Sequence, residues 1–228
     1  MVTVFALAVV TIVAWAYLLS GAGMGSMTGM EGMASQPGWA LVAAMWAAMM
    51  VAMMLPSASP TILLYARVHR HSNGHGAAPP TAAFLGGYIA CWVGFALIAA
   101  TLQVALGGIE LINRKVAAIL LIATGLYQLS PLKDACLSRC RSPAQFLSRH
   151  FARGAMGAAR LGLLHGAYCV GCCWLLMALL FVGGVMNLAW VAALALLVAA
   201  EKLLPGGNWI ARIAGVALIG WGVVLIAA

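Results

Sequence analysis

Apolar residues in this chain come in long runs broken by short polar punctuation, not in the period-2 or period-3.6 patterns of a soluble domain. Seven runs stand out, at about 2–20, 39–66, 82–106, 116–131, 163–184, 187–203 and 208–227. Most of them approach or exceed the ~20 residues that cross a bilayer as a helix. The pattern predicts an all-α fold: a polytopic transmembrane helical bundle of about seven spans, forming a single membrane domain over 1–228. Pro56 and Pro60 lie inside the second run and predict a kink or a break there. The first run has no positive n-region and is long for the apolar core of a signal peptide. A retained first helix is expected; its cleavage would leave six spans.

Composition agrees with the pattern. The chain is 65% hydrophobic and 7% charged, against roughly 25% charged in soluble domains. The net charge of +8 is concentrated in a few loops. Arg67 and Arg70 follow the second run, and Lys133, Arg139, Arg141, Arg149, Arg153 and Arg160 fill the long polar segment 132–160. The second half of that segment reads as a short amphipathic interfacial helix. The loop 21–38 holds no Lys or Arg. Loop charge then predicts a multi-pass protein of the bacterial inner membrane, with a cytoplasmic N-terminus and an outer C-terminus. The segment 132–160 faces the cytoplasm in this topology and the loop 21–38 faces outward. The lipid bilayer is the partner the composition demands. No basic-aromatic module appears, so no nucleic-acid partner is expected. The four acidic residues are scattered and there is no phosphate-binding G-x-x-x-x-G-K-[ST] loop. Neither an enzyme nor an autonomous pump is expected.

The methionines are the most unusual feature. Nine of the thirteen fall between Met24 and Met54. Met24, Met27, Met30 and Met33 recur every third residue in a glycine-rich stretch unsuited to a stable helix. Placed in an outer loop, they escape explanation by core packing, and thioethers are ligands that select Cu(I). A flexible interfacial loop whose methionines dip into lipid is the alternative. Met45, Met49 and Met53 then recur every fourth residue, with Met50 and Met54 beside them. That spacing stacks them on one helix face, about 5.4 Å per turn. Such a stripe serves equally as packing, since methionine fills gaps well, or as a relay of soft ligands.

The six cysteines do not resemble a secreted disulfide framework. His165, Cys169, Cys172 and Cys173 stand at i, i+4, i+7 and i+8, and Met177 continues the stripe. They share a helix face, and a histidine inside a membrane helix is costly and usually functional. A metal or redox role is the sharper reading; close packing of small residues is the plainer one. Cys136 and Cys140 lie one helical turn apart among basic residues, an environment that favours thiolate and suits metal transfer or redox exchange. His69, His71 and His75 form a weaker candidate for a borderline metal. Glu201 and Lys202 read as an end-of-helix pair at the membrane surface, with a functional carboxylate as the alternative.

A set of short motifs adds to this. Met49-Met50-Val-Ala-Met53-Met54-Leu-Pro56-Ser57, Gly125-Leu-Tyr127-Gln128-Leu-Ser-Pro131-Leu-Lys133-Asp-Ala-Cys136-Leu-Ser-Arg-Cys140-Arg141-Ser-Pro143, Cys169-Val-Gly-Cys172-Cys173-Trp174, Met186-Asn187-Leu and Glu201-Lys202 occur in this order. Over roughly residues 40–205 the chain resembles a bacterial family of predicted metal-binding integral membrane proteins described as copper-chaperone-like. Their description comes by relation to a protein that supports copper loading of a melanin-forming oxidase. The resemblance implies copper delivery to an extracytoplasmic copper enzyme. It implies Met49, Met50, Met53, Met54, Cys136, Cys140, Cys169, Cys172 and Cys173 as metal residues. The methionines at 24–33 precede it and rest on ligand chemistry alone.

The expected function is therefore Cu(I) binding and transfer, with an extracytoplasmic copper oxidase as a candidate recipient. Two other classes stay open. A transmembrane thiol–disulfide electron carrier would use paired, charge-activated cysteines but has no use for methionines. A structural accessory subunit of a membrane oxidase would bind no metal of its own.

Overall fold

A segment in a bilayer must satisfy its own backbone groups, so apolar runs of this length are driven into helices. The computed structural model describes residues 2–20, 38–73, 78–106, 113–150, 154–185 and 187–227, and every regular element among them is a helix. In chain order these are α1 (Val2–Leu19), α2 (Trp39–Asn73), α3 (Ala78–Leu106), α4 (Arg114–Gln128), α5 (Pro131–Arg141), α6 (Pro143–His150), α7 (Gly154–Ala178), α8 (Leu180–Gly183), α9 (Leu188–Leu203) and α10 (Gly207–Ala227). The seven apolar runs fall on helices, with 163–184 divided between α7 and α8 and 116–131 ending at the start of α5. Four stretches, 39–70, 80–105, 154–183 and 207–227, are long and apolar enough to cross a membrane. The bent pair α4–α5 makes a fifth if taken as one span. α1 is apolar but shorter, and α9 has 16 residues. Length and composition thus support four or five crossings and do not establish seven. The methionines at 24, 27, 30 and 33 lie outside the described residues.

Of the kink or break expected at the prolines of α2, the break does not occur. The helix runs unbroken through Pro56 and Pro60. A proline lacks the N–H that would reach the carbonyl four residues back, which orphans the carbonyls of Ala52 and Pro56. Both find other donors. The Trp15 indole Nε1 donates to the Ala52 carbonyl at 3.1 Å, and the Ser59 hydroxyl donates to the Pro56 carbonyl at 2.8 Å. With side chains standing in for the two missing backbone donors, the helix has no need to open.

The polar segment 132–160 is also more ordered than its composition predicts. α5, α6 and the start of α7 occupy nearly all of it. α6 is amphipathic, burying Phe146 and Leu147 while Ser148 and Arg149 stay exposed, and residues from Gly154 on belong to α7 rather than to a separate interfacial helix. The turn from α4 into α5 has a local cause. Ser130 caps α5 by accepting from the Lys133 N–H at 3.2 Å, and Pro131 takes the first helical position. A residue before proline is disfavoured in the helical region. α4 therefore stops, and α5 leaves at 63° to it.

The residues group into two compact units. One comprises 1–108 with 150–166, the other 109–149 with 167–228. In the first, α2 packs against α1 and α3, and the first half of α7 approaches α3 through glycines. A Cβ on Gly87 would strike the Ala159 carbonyl, and one on Gly162 would strike the Phe84 carbonyl. In the second unit, α4 and α10 meet through Gly125, Gly215 and Gly222, where added Cβ atoms would lie 2.6–2.9 Å from facing atoms. Small residues at such crossings let backbones approach closely enough for dispersion to hold them in lipid.

The paired glycines of α3 give a direct check on this packing. Gly87→Ala should lower stability by about 1–3 kcal/mol through overpacking. Gly86→Ala, whose Cβ would meet nothing within 4 Å, should leave it unchanged. Thermal unfolding of both variants in detergent measures the difference.

Candidate functional site

The second unit gathers the cysteines. α7 brings Cys169, Cys172 and Cys173 to one face, and all three are buried. The thiols of Cys172 and Cys173 donate to the Cys169 carbonyl at 3.1 and 2.9 Å. α5 supplies Cys140, whose thiol lies within hydrogen-bonding reach of Cys169 and Cys172. Cys169 and Cys172 each interact with the other three thiols of the group. Cys136, one turn earlier on α5, packs beside Gly171, where an added Cβ would sit 3.0 Å from its sulfur. Tyr127 on α4 donates its hydroxyl to the Gly171 carbonyl, and Arg139 lies 5.8 Å over the Tyr168 ring. None of the six cysteines is in a disulfide.

The end of α9 closes the cluster with charge. Lys202 is 7% exposed, and its Nζ donates to the Cys169 sulfur at 3.0 Å. Its neighbour Glu201 is 1% exposed. One oxygen of that carboxylate takes Lys133 Nζ from α5 at 2.6 Å, and the other takes the Gln128 amide from α4 at 2.8 Å. The pair expected at the membrane surface is therefore buried. The physical reason is that both groups find partners on neighbouring helices, without which burial would be prohibitive. Sequence reasoning counted Lys133 as loop charge and passed over Gln128. The signal that finds them is an acidic and a basic residue side by side at the end of an apolar run, since ionisable groups in such runs mark function by default.

The remaining candidates fall in the first unit or outside the described residues. Met45, Met49, Met50, Met53 and Met54 are all buried on α2, as packing methionines also would be. The Met54 carbonyl accepts from the Tyr88 hydroxyl at 3.1 Å and from Ser57 at 2.9 Å. His165 is buried on α7 near the rings of Phe84 and Tyr88, with centroids at 6.2 and 5.8 Å. His69 is buried against Tyr65. His75 lies outside the described residues. Cys136 and Cys140, expected in a loop, sit on helix α5 because Ser130 and Pro131 start a helix there. Among the described residues no three His, Cys, Asp or Glu side chains converge as a ready-made metal shell. What the second unit offers is a set of soft sulfur donors on two helices beside a cation. That donor chemistry fits a soft ion such as Cu(I) held by few ligands.

These features define an all-helical membrane protein with a buried thiol cluster. Residues 43–225 match the family described as PpoB2, copper chaperone, and the chain belongs to it. No curated protein and no solved structure matches the chain. Family membership assigns copper handling in general terms. The matched segment includes every cysteine and the α2 methionines and excludes Met24–Met33.

The buried ion pair yields a stability prediction. Lys133→Met strands the Glu201 carboxylate with Gln128 alone and should cost about 3–5 kcal/mol. Combining it with Glu201→Leu should recover much of that loss, because the stranded charge is gone. Thermal unfolding of the single and double variants gives the coupling.

Proposed function

We propose that the chain binds Cu(I) at Cys140, Cys169, Cys172 and Cys173 and hands it, as cargo, to an extracytoplasmic copper enzyme. The observation that carries this reading is the grouping of Cys140 from α5 with Cys169, Cys172 and Cys173 of α7, four thiols that interact with one another beside Lys202. Thiolates are the donors Cu(I) prefers. Several thiols around one sulfur let an ion exchange one ligand at a time without being set free. Family membership supports copper as the cargo. The protein acts without chemistry of its own on a substrate bond, in the bacterial inner membrane, with its N-terminus in the cytoplasm and its C-terminus outside. The loop 21–38 then lies outside, where Met24, Met27, Met30 and Met33 offer thioethers that resist oxidation better than thiols. Met45, Met49, Met50, Met53, Met54, Cys136 and His165 serve as further stations for the ion.

One observation favours a second reading. Cys140 reaches Cys172 from another helix, and Lys202 touches Cys169. A thiol–disulfide carrier needs the same pairing of thiols and cation. Replacing Met24, Met27, Met30 and Met33 together separates the two, since a thiol carrier is indifferent to thioethers.

Metal content after anaerobic Cu(I) loading and desalting tests the copper reading. The purified protein should retain about one copper per chain or more, as expected of a soft-donor site. Changing Cys169, Cys172 and Cys173 together to Ser should abolish that retention. Absence of copper in both proteins defeats the reading and directs attention to the redox state of the thiols.

A further inference from the structure

Lys202 is an unexpected neighbour for a cation site. An ammonium 3.0 Å from a sulfur repels a metal ion bound there unless the ligands bring more negative charge than the ion brings positive. The charge balance of the alternatives differs. Cu(I) between two thiolates carries a net charge of −1, and the ammonium brings the group to zero. A divalent ion between the same two thiolates is already neutral, so the ammonium leaves the group at +1 unless a third thiol also gives up its proton. A buried site of low polarity penalises net charge heavily.

The other charged groups close by do not alter this balance. Glu201 sits next to Lys202 in sequence, but its two oxygens receive the Lys133 ammonium at 2.6 Å and the Gln128 amide at 2.8 Å. That carboxylate and Lys133 cancel as a pair. Arg139, on α5 beside Cys140, lies over the Tyr168 ring, and Arg141 bonds Asn208 at 2.7 Å and the Leu204 carbonyl at 2.9 Å. The Lys202 ammonium is the charge in direct contact with the thiols.

We propose that Lys202 is a specificity-determining residue that tunes the thiol cluster to soft monovalent ions and against divalent ones. This rests on the reading that the cluster binds Cu(I) and adds how the site tells Cu(I) from thiol-seeking divalent cations, for which the cysteines alone are also good ligands. Lys202 acts through the field it places on the ion and does not itself ligate.

The test uses the full-length protein in detergent under anaerobic conditions, with Cu(I) and Cd(II) as probes. Dissociation constants are measured for wild type, Lys202→Met and Lys202→Arg. Removing the ammonium should weaken Cu(I) binding relative to Cd(II), moving the ratio of the two constants by at least about tenfold. Lys202→Arg, which keeps the charge, should hold the ratio near that of wild type. Loss of packing alone would weaken both ions in parallel and leave the ratio fixed; a ratio unchanged within about twofold in Lys202→Met overturns the proposal. If Lys202→Met is not recovered as a folded species, Lys202→Gln reads the same ratio. Wild type that retains no Cu(I) defeats the copper reading itself. Wild type that retains it, with no change of ratio in the variant, defeats only the role of Lys202.

Discussion

Two adjacent ionisable residues on one helix cannot both be buried against the same neighbour. Successive side chains on a helix diverge by about 100°, so Glu201 and Lys202 must each find a partner on a different element. The structure meets this constraint by placing Lys133 and Gln128 around the carboxylate and Cys169 against the ammonium. The end of α9 is thereby tied to α4 and α5 on one side and to the second half of α7 on the other. Much of the second unit follows from this. α5 has to start where Ser130 and Pro131 start it, because only then does Lys133 reach Glu201. The same helix, continued two turns, delivers Cys140 to the α7 thiols.

The constraint also explains why a thiol cluster can be stable in so apolar a chain. A lysine ammonium near lipid is costly to bury, and a thiolate is costly too. Placed together at 3.0 Å each lowers the cost of the other. Four thiols without the ammonium would be simply packed side chains, much as Met45–Met54 are packed in the first unit. The difference between the two sulfur-rich regions is thus electrostatic as well as chemical. The methionines are neutral donors in an uncharged core, whereas the cysteines stand beside a fixed positive charge.

The helices were largely legible in the sequence, because hydropathy reports directly on whether a segment can satisfy its backbone internally. The grouping of Cys169, Cys172 and Cys173 was legible for a similar reason, as i, i+3 and i+4 neighbours meet on any helix. The approach of Cys140 and Lys202 to that group, and of Lys133 to Glu201, was not. Their meeting depends on the bend after Ser130 and on packing between helices distant in sequence, and neither has a period to read. Basic residues between apolar runs also invite assignment to a solvated loop, which concealed that α5 is a helix with a buried lysine. The prolines of α2 suggested a break that the helix does not have. Their cost is real, but Trp15 and Ser59 meet it with donors, and only one of those donors lies on α2 itself.

In the proposed cargo role, the arrangement of the thiols matters more than their number. Three come from one face of α7 and the fourth from α5, and among the described residues they form no ready-made metal shell. A resident structural metal would be poorly served by this, since such sites are closed and fully ligated. An ion in transit has other needs. It must be held by few ligands, find a second donor before releasing the first, and carry no net charge through an apolar interior. Cys169 supplies a sulfur in reach of three alternatives, and Lys202 supplies the balancing charge beside it. Such an arrangement suits ligand exchange, in keeping with the role proposed for this member of a copper-chaperone family.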